Sequence, residues 1–215
     1  MSNAVKFAAA AAVAATSLVA LASASTKTVD LDGFSYIDAS AGVDVIVKVG
    51  GGYSIRAEGE DEALEHLRIE KRGDTLEIGR EHRRGLVFST HKGRLTVHVT
   101  MPALNGVDVS SGADVTATGI DSERFSASVS SGADATLSGR CGDLTADGSS
   151  GADLEASDLK CENANADVSS GADLDIYASE SVIADASSGG DITVHGGPKN
   201  TNIDKSSGGG VTILK

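Results

Sequence analysis

The 215-residue chain is poor in aromatics and holds no Trp, two Pro, two Cys and two Met. So few rings exclude an ordinary core built around bulky side chains, and two Pro leave little to interrupt long runs of regular structure. Two cysteines are too few for a disulfide-dense miniature domain or a four-cysteine zinc site. Basic residues are also scarce: 18 Lys and Arg face 31 Asp and Glu, for a net charge of −13, which argues against nucleic acid as a partner. Beyond residue 24 no stretch approaches the roughly 18 apolar residues of a spanning helix. What is abundant is Gly, at 26 residues, within a chain that is still 40% hydrophobic and therefore expected to fold.

Residues 1–24 read as a signal peptide. Lys6 supplies the positive start, an Ala/Val/Leu stretch runs from Phe7 to Leu21, and Ala22-Ser23-Ala24 is a small-residue cleavage site. Cleavage leaves a mature chain starting at Ser25, with no Cys placed to take a lipid anchor. A periplasmic, secreted or cell-surface location is expected, and no membrane-spanning segment after cleavage.

The strongest signal is repetition. SSGAD begins at Ser110, Ser130, Ser149 and Ser169, SSGGD at Ser187 and SSGGG at Ser206, and a degenerate copy spans Ser40 to Asp44. The spacing stays between 18 and 20 residues. Around each copy the residues alternate with period two: Val107, Val109, Ala113, Val115 and Ala117 share one face, Asp108, Asp114, Thr116 and Thr118 the other. Strict alternation of this length indicates strands with one buried face. A single unit cannot bury that face alone, so the units must stack. The fold class expected is all-β: a single-stranded β-helix-like solenoid with about 19–20 residues per coil. Inner columns then form, such as Val115, Ala135, Leu154, Leu174, Ile192 and Val211. By the same parity Ser111, Ser131, Ser150, Ser170, Ser188 and Ser207 are expected to point inward and to bond one another or nearby backbone. A catalytic role for them is not expected, because neither a nucleophile-elbow motif nor a neighbouring His accompanies them.

Stacking also bears on the cysteines. Cys141 and Cys161 lie one coil apart, and strands ~4.8 Å apart fall within the Cα separation a disulfide accepts, so the two are expected to bridge adjacent coils. Outward Asp114, Asp134, Asp153, Asp173 and Asp191 should form a ladder of like charges. Each neighbouring pair repels by about 1 kcal/mol in water, a cost that an exposed face tolerates. The preferred reading is that Asp and Gly shape and solubilise the coil corner. Weak Ca²⁺ binding along the ladder is the alternative, and no cofactor is otherwise expected.

Residues 25–102 are less regular but also read as strands, with one helical turn near Glu60 to Leu67 and a soft boundary at Pro102. They form the N-terminal β part of the solenoid domain, and residues 103–215 form the repeat coils. Charge divides the same way. Residues 104–198 hold 17 acidic and three basic residues, while nine basic residues lie within 56–94. Arg80, His82, Arg83 and Arg84 form a basic loop that is first read as solvated and alternatively as a contact for an anionic ligand. The five His show no metal-ligand spacing, and zinc is not expected.

The order of Phe34-Ser35-Tyr36-Ile37, Ala41-Gly42-Val43-Asp44-Val45, Thr75-Leu76-Glu77-Ile78, and a strand from Leu95 to Met101 followed by Pro102-Ala103-Leu104 and the SSGAD coils resembles the GIN-domain family of autotransporter-adhesin heads. The resemblance covers essentially the whole mature chain. It implies a right-handed β-helix-like solenoid and an adhesin or cell-envelope role, and it carries over no catalytic residues.

Three function classes follow. The first is an exported, non-catalytic envelope or surface module that binds glycans or surface proteins along the solenoid faces. The second is a structural protein that self-associates end to end through the C-terminal coil, 210–215, where no cap is evident. The third is a polysaccharide-acting enzyme of lyase type, disfavoured because the repeats hold few basic residues for proton abstraction.

Overall fold

A computed structural model describes residues 25–81 and 93–215. The signal-peptide segment, His82, Arg83 and Arg84 lie outside the described residues. The elements in chain order are β1 (Ser25–Val29), β2 (Tyr36–Ala39), β3 (Asp44–Val49), β4 (Ser54–Gly59), α1 (Asp61–Glu65), β5 (Leu67–Arg72), β6 (Thr75–Arg80), β7 (Leu95–Met101) and β8 (Gly106–Val109). They continue with β9 (Asp114–Ser130), β10 (Asp134–Ser149), β11 (Asp153–Val168), β12 (Asp173–Ala186), β13 (Asp191–His195), β14 (Asn200–Lys205) and β15 (Gly210–Ile213). Together they make a β-solenoid of about five turns.

Each long strand from β9 to β12 bends once, so that its first half joins one sheet face and its second half the other. Register shifts mark the bend, as between Leu137 and Gly139, where Gly139 sits at φ 140°. There a Cβ would lie 2.2 Å from the Ile120 carbonyl oxygen, so only glycine fits the corner. The first face runs β1-β4-β7-β3-β9-β10-β11-β12-β13-β15. The second runs β5-β6-β2-β8 and then through the second halves of β9 to β12, ending on β14. Coil-to-coil pairing is parallel throughout the repeats. At the upstream end it becomes antiparallel, where β4 closes on β7, β1 on β4 and β5 on β6.

The chain does not lay its first coils down in sequence order. β2 lies between β6 and β8, and β3 lies between β7 and β9, so the degenerate first copy is threaded between coils made later. Val45 consequently stacks on Val115, and Asp44 on Asp114.

The interior is a thin aliphatic stack. Val115, Ala135, Leu154, Leu174, Ile192 and Val211 follow one another in register, and Val115 to Ile192 are essentially inaccessible. The opposite wall is smaller, with Ala127, Ala146, Ala166 and Ala184 in one column. The walls are in close contact, and a Cβ on Gly148, whose register partners are Val129 and Val168, would lie 2.7 Å from Leu174 Cδ2 and push that side chain aside. Narrowness therefore explains the shortage of rings; among the described residues Phe34 and Phe125 are the two Phe, and both are buried. One apolar cluster runs through both the upstream strands and the repeats.

The serine column is not formed. Ser111, Ser131, Ser150, Ser170, Ser188 and Ser207 are exposed and have φ between 48° and 58°. Each is the first of two successive left-handed residues, Ser then Gly, and in four copies the i to i+3 bond is closed, for example Ala113 N–H to Ser110 O at 3.2 Å. Two central residues at positive φ define a type I′ turn, which swings the side chain of its first central residue outward and restores the strand parity at Ala113. Successive turns also bond to each other, with Gly132 N–H donating to Ser150 O and Gly151 N–H to Ser170 O, both at 3.2 Å.

Candidate functional site

The outward side chains are organised by the same registers. Asp114, Asp134, Asp153, Asp173 and Asp191 lie in one row, and Asp44 extends it by one coil. Burial, then Asp134 and Asp44, push the Asp114 carboxyl above its ordinary range. Among the described residues a basic side chain pairs with the row only at its end, where Arg94 Nε lies 3.7 Å from Asp44 Oδ2. Beside the row, Asp175 Oδ1 lies 2.5 Å from His195 Nε2.

A second acidic row escapes a reading based on the SSGAD motif alone. Glu77, Asp38, Asp108, Ser128, Asp147, Asp167, Asp185 and Asp204 are successive register partners on the other face. Its signal is in the sequence, because an Asp stands six residues before a ladder Asp at Asp38, Asp108, Asp147, Asp167 and Asp185. Six residues is the span that crosses the turn from one face to the next. This row is the more desolvated one. Burial raises Asp38, Asp108 and Asp147 above the usual carboxylate range, with Asp108 and then Glu77 adding to the effect on Asp38, and Asp167 to that on Asp147. Arg68 opposes the rise at Asp38.

Two hollows lie along this row. One, of about 390 Å³, is lined by Tyr36, Asp38, Arg72, Asp108 and Ser128 among others; the next, of about 380 Å³, by Ser128, Asp147, Asp167, Asp185 and the turn serines Ser149 and Ser187. A third hollow, of about 420 Å³, lies over the first row between Asp153, Glu155, Asp173 and Asp191.

Cys141 and Cys161 are register partners at the bend, with Cα atoms 4.4 Å apart and their sulfurs bonded. Nearby, Arg140 grips Asp121 with two hydrogen bonds and lowers that carboxyl, chiefly through those bonds. Arg80 ends β6 with its guanidinium donating to the carbonyls of Gly42 at 3.1 Å and Gly93 at 3.0 Å, which ties the first turn to the start of β7. Among the described residues no group of three or more His, Cys, Asp and Glu is placed to hold a metal ion. No helix among them is long and apolar enough to cross a membrane.

The family described as "Putative auto-transporter adhesin, head GIN domain" matches residues 33–198. Among solved structures, a "putative adhesin" from Bacteroides fragilis is similar at 18% identity and a TM-score of 0.70, covering 89% of this chain and 97% of that one. One from Parabacteroides merdae is similar at 13% identity and a TM-score of 0.53, covering 89% and 96%, and one from Parabacteroides distasonis at 12% and 0.53, covering 89% and 97%. These likenesses show the fold. No curated protein matches.

Proposed function

The chain belongs to the head GIN-domain family, and on that premise we propose that it is an exported, non-catalytic, adhesin-like module that binds glycans or surface proteins along its solenoid faces. The observation that supports this most is the pair of long outward rows with their hollows, held at fixed spacing by strands paired coil to coil. Such a scaffold presents side chains with little conformational freedom left to lose, which favours binding by preorganisation. Catalysis would need a nucleophile or base held against a partner group within a closed site. The outward rows instead carry like carboxylates and hydroxyls in open hollows.

The test is binding of fluorescently labelled, mature protein (25–215) to a glycan array and to intact bacterial and host cells. Saturable binding to a subset of glycans or to one cell type is expected, with loss on substituting row residues. Absence of binding to every glycan and cell type refutes the proposal. Amino-terminal sequencing of protein recovered from the producing cell should begin at Ser25 and show the compartment.

A second reading, self-association, is favoured by the last coil. Ile203 and Leu214 are 38% and 43% exposed, and β14 and β15 each pair with an earlier coil along one edge. Light scattering that finds only monomer at high concentration excludes it.

A further inference from the structure

The order of strands divides the molecule at one coil. Among the described residues the sheet passes from β7 to β9 only through β3 on the first face, and from β6 to β8 only through β2 on the second. The strands of the amino-terminal cap, which comprises β1, β4 to β7 and α1, pair with no strand from β8 to β15. The turn between β2 and β3 bridges in the same way. Ser40 N–H donates to Ile78 O at 2.9 Å and Gly42 N–H to Ser111 O at 3.2 Å, while Arg80 of β6 holds the Gly42 carbonyl. Residues 34–49 are thus the joint between the cap and the repeats.

The joint is packed from both sides. Phe34, Ile37, Ala39, Val43, Val45 and Val47 are each at most 1% exposed, and Val47 is in register with Val99 of the cap and with Ala117 of the repeats. Gly106 lets β2 close on β8, since a Cβ there would lie 3.0 Å from Tyr36 Cδ1 and 2.8 Å from Ser126 O. The hollow of about 390 Å³ straddles the joint, taking Arg72 and Glu77 from the cap, Tyr36 and Asp38 from the joint, and Asp108 and Ser128 from beyond it.

Sequence distance separates the parts further. Successive repeat coils pair residues 17 to 20 apart, and the Cys141–Cys161 bridge fastens two of them. β3 reaches 52 residues to β7 and 70 to β9, and β2 reaches 39 to β6 and 70 to β8. Closing a 70-residue loop is less probable than closing a 20-residue one by about sixfold. The repeats are therefore held by short loops and by one another, whereas the cap has no paired neighbour but the joint.

We propose that residues 34–49 are a keystone. The cap is a separate cooperative unit attached through this coil, so opening of β2 and β3 releases the whole cap and leaves the repeat coils intact. This holds whatever the solenoid faces bind.

Native-state hydrogen exchange of the mature protein, read by peptide mass spectrometry at rising sub-denaturing guanidinium, tests it. In the wild type, amides of β4 to β7 should be no better protected than those of β2 and β3, and β10 to β12 should outlast both. Val47→Ala should speed exchange at least about tenfold in β2, β3 and throughout the cap, with β10 to β12 changed less than about threefold. Val99→Ala, at the register partner in β7, should speed exchange in the cap and leave β8 within about threefold. Acceleration by Val47→Ala confined to β2 and β3 overturns the proposal, as does a wild-type cap better protected than the joint. Cap and repeats opening together in the Val47→Ala chain overturns it as well. Where Val47→Ala prevents folding altogether, the wild-type order of protection decides.

Discussion

The bridge between Cys141 and Cys161 offers the sharpest stability test. The two residues are 20 apart in sequence, and closing a loop of that size removes chain entropy from the unfolded state worth about 3 kcal/mol at 25 °C. Both residues are buried, so replacing them would add a packing loss of its own. The cleaner perturbation keeps every atom: the wild-type chain is unfolded and refolded with and without a reductant, then compared by equilibrium guanidinium denaturation. The reduced form should be less stable by about 2–4 kcal/mol and melt about 10 °C lower, given roughly 2–4 °C per kcal/mol for a domain of this size. Its denaturant slope should rise, because the uncrosslinked chain exposes more surface when unfolded. The Cys141→Ala, Cys161→Ala chain should lose at least as much and be insensitive to reductant. A difference below about 1 kcal/mol between oxidised and reduced wild type would refute the reasoning, and two free thiols in unreduced, unfolded protein would refute the bridge itself.

Gly139→Ala should cost more than about 2 kcal/mol in chemical denaturation, since the added methyl meets the Ile120 carbonyl and φ is positive. Leu154→Ala, in the middle of the inner column, should cost about 2–5 kcal/mol, whereas Ile183→Ser, at a residue 52% exposed, should stay within about 0.5 kcal/mol. The raised Asp114 carboxyl is a group whose charged form the folded state disfavours, so its destabilising effect is present above its folded pKa and is relieved as pH falls through that value. Asp114→Asn should accordingly raise the melting temperature at pH 7 in low salt, and the gain should vanish at pH 3 and shrink in 1 M NaCl. If the first Asp row is a solvated face, millimolar CaCl₂ should raise the melting temperature no more than NaCl of equal ionic strength; a larger rise would identify a cation site.

The coils were legible because two periods coincide in the sequence. Alternation at two set the buried face from Val107 to Ala117, and recurrence near 19 set the columns of Val115 and its partners. Parity failed at Ser111 and its copies because a type I′ turn takes its central residues out of the strand, something alternation cannot encode. The partners of the Ser40 to Asp44 copy were not legible for a different reason. Stacking was inferred between consecutive units, while β3 waits for Asp114, 70 residues on. The second acidic row was within reach, since the six-residue interval from Asp147 to Asp153 is as regular as the motif, but its meaning depends on knowing that the turn separates two faces. Tyr36 over Gly106 was not, because nothing in either neighbourhood ties residues 36 and 106 together.

The threading of β2 and β3 between neighbours on both sides makes the molecule mechanically polar. A force applied at the carboxyl end meets β15, then β14 and β13, and can peel the solenoid coil by coil, breaking a few hydrogen bonds at a time. A force applied at the amino end must first strip β1 from β4 and then withdraw β2 and β3 from between two partners each, so bonds on both sides fail together. Pulled between its ends, the protein should therefore yield in a saw-tooth from the carboxyl side while the amino-terminal coils act as a locked anchor point.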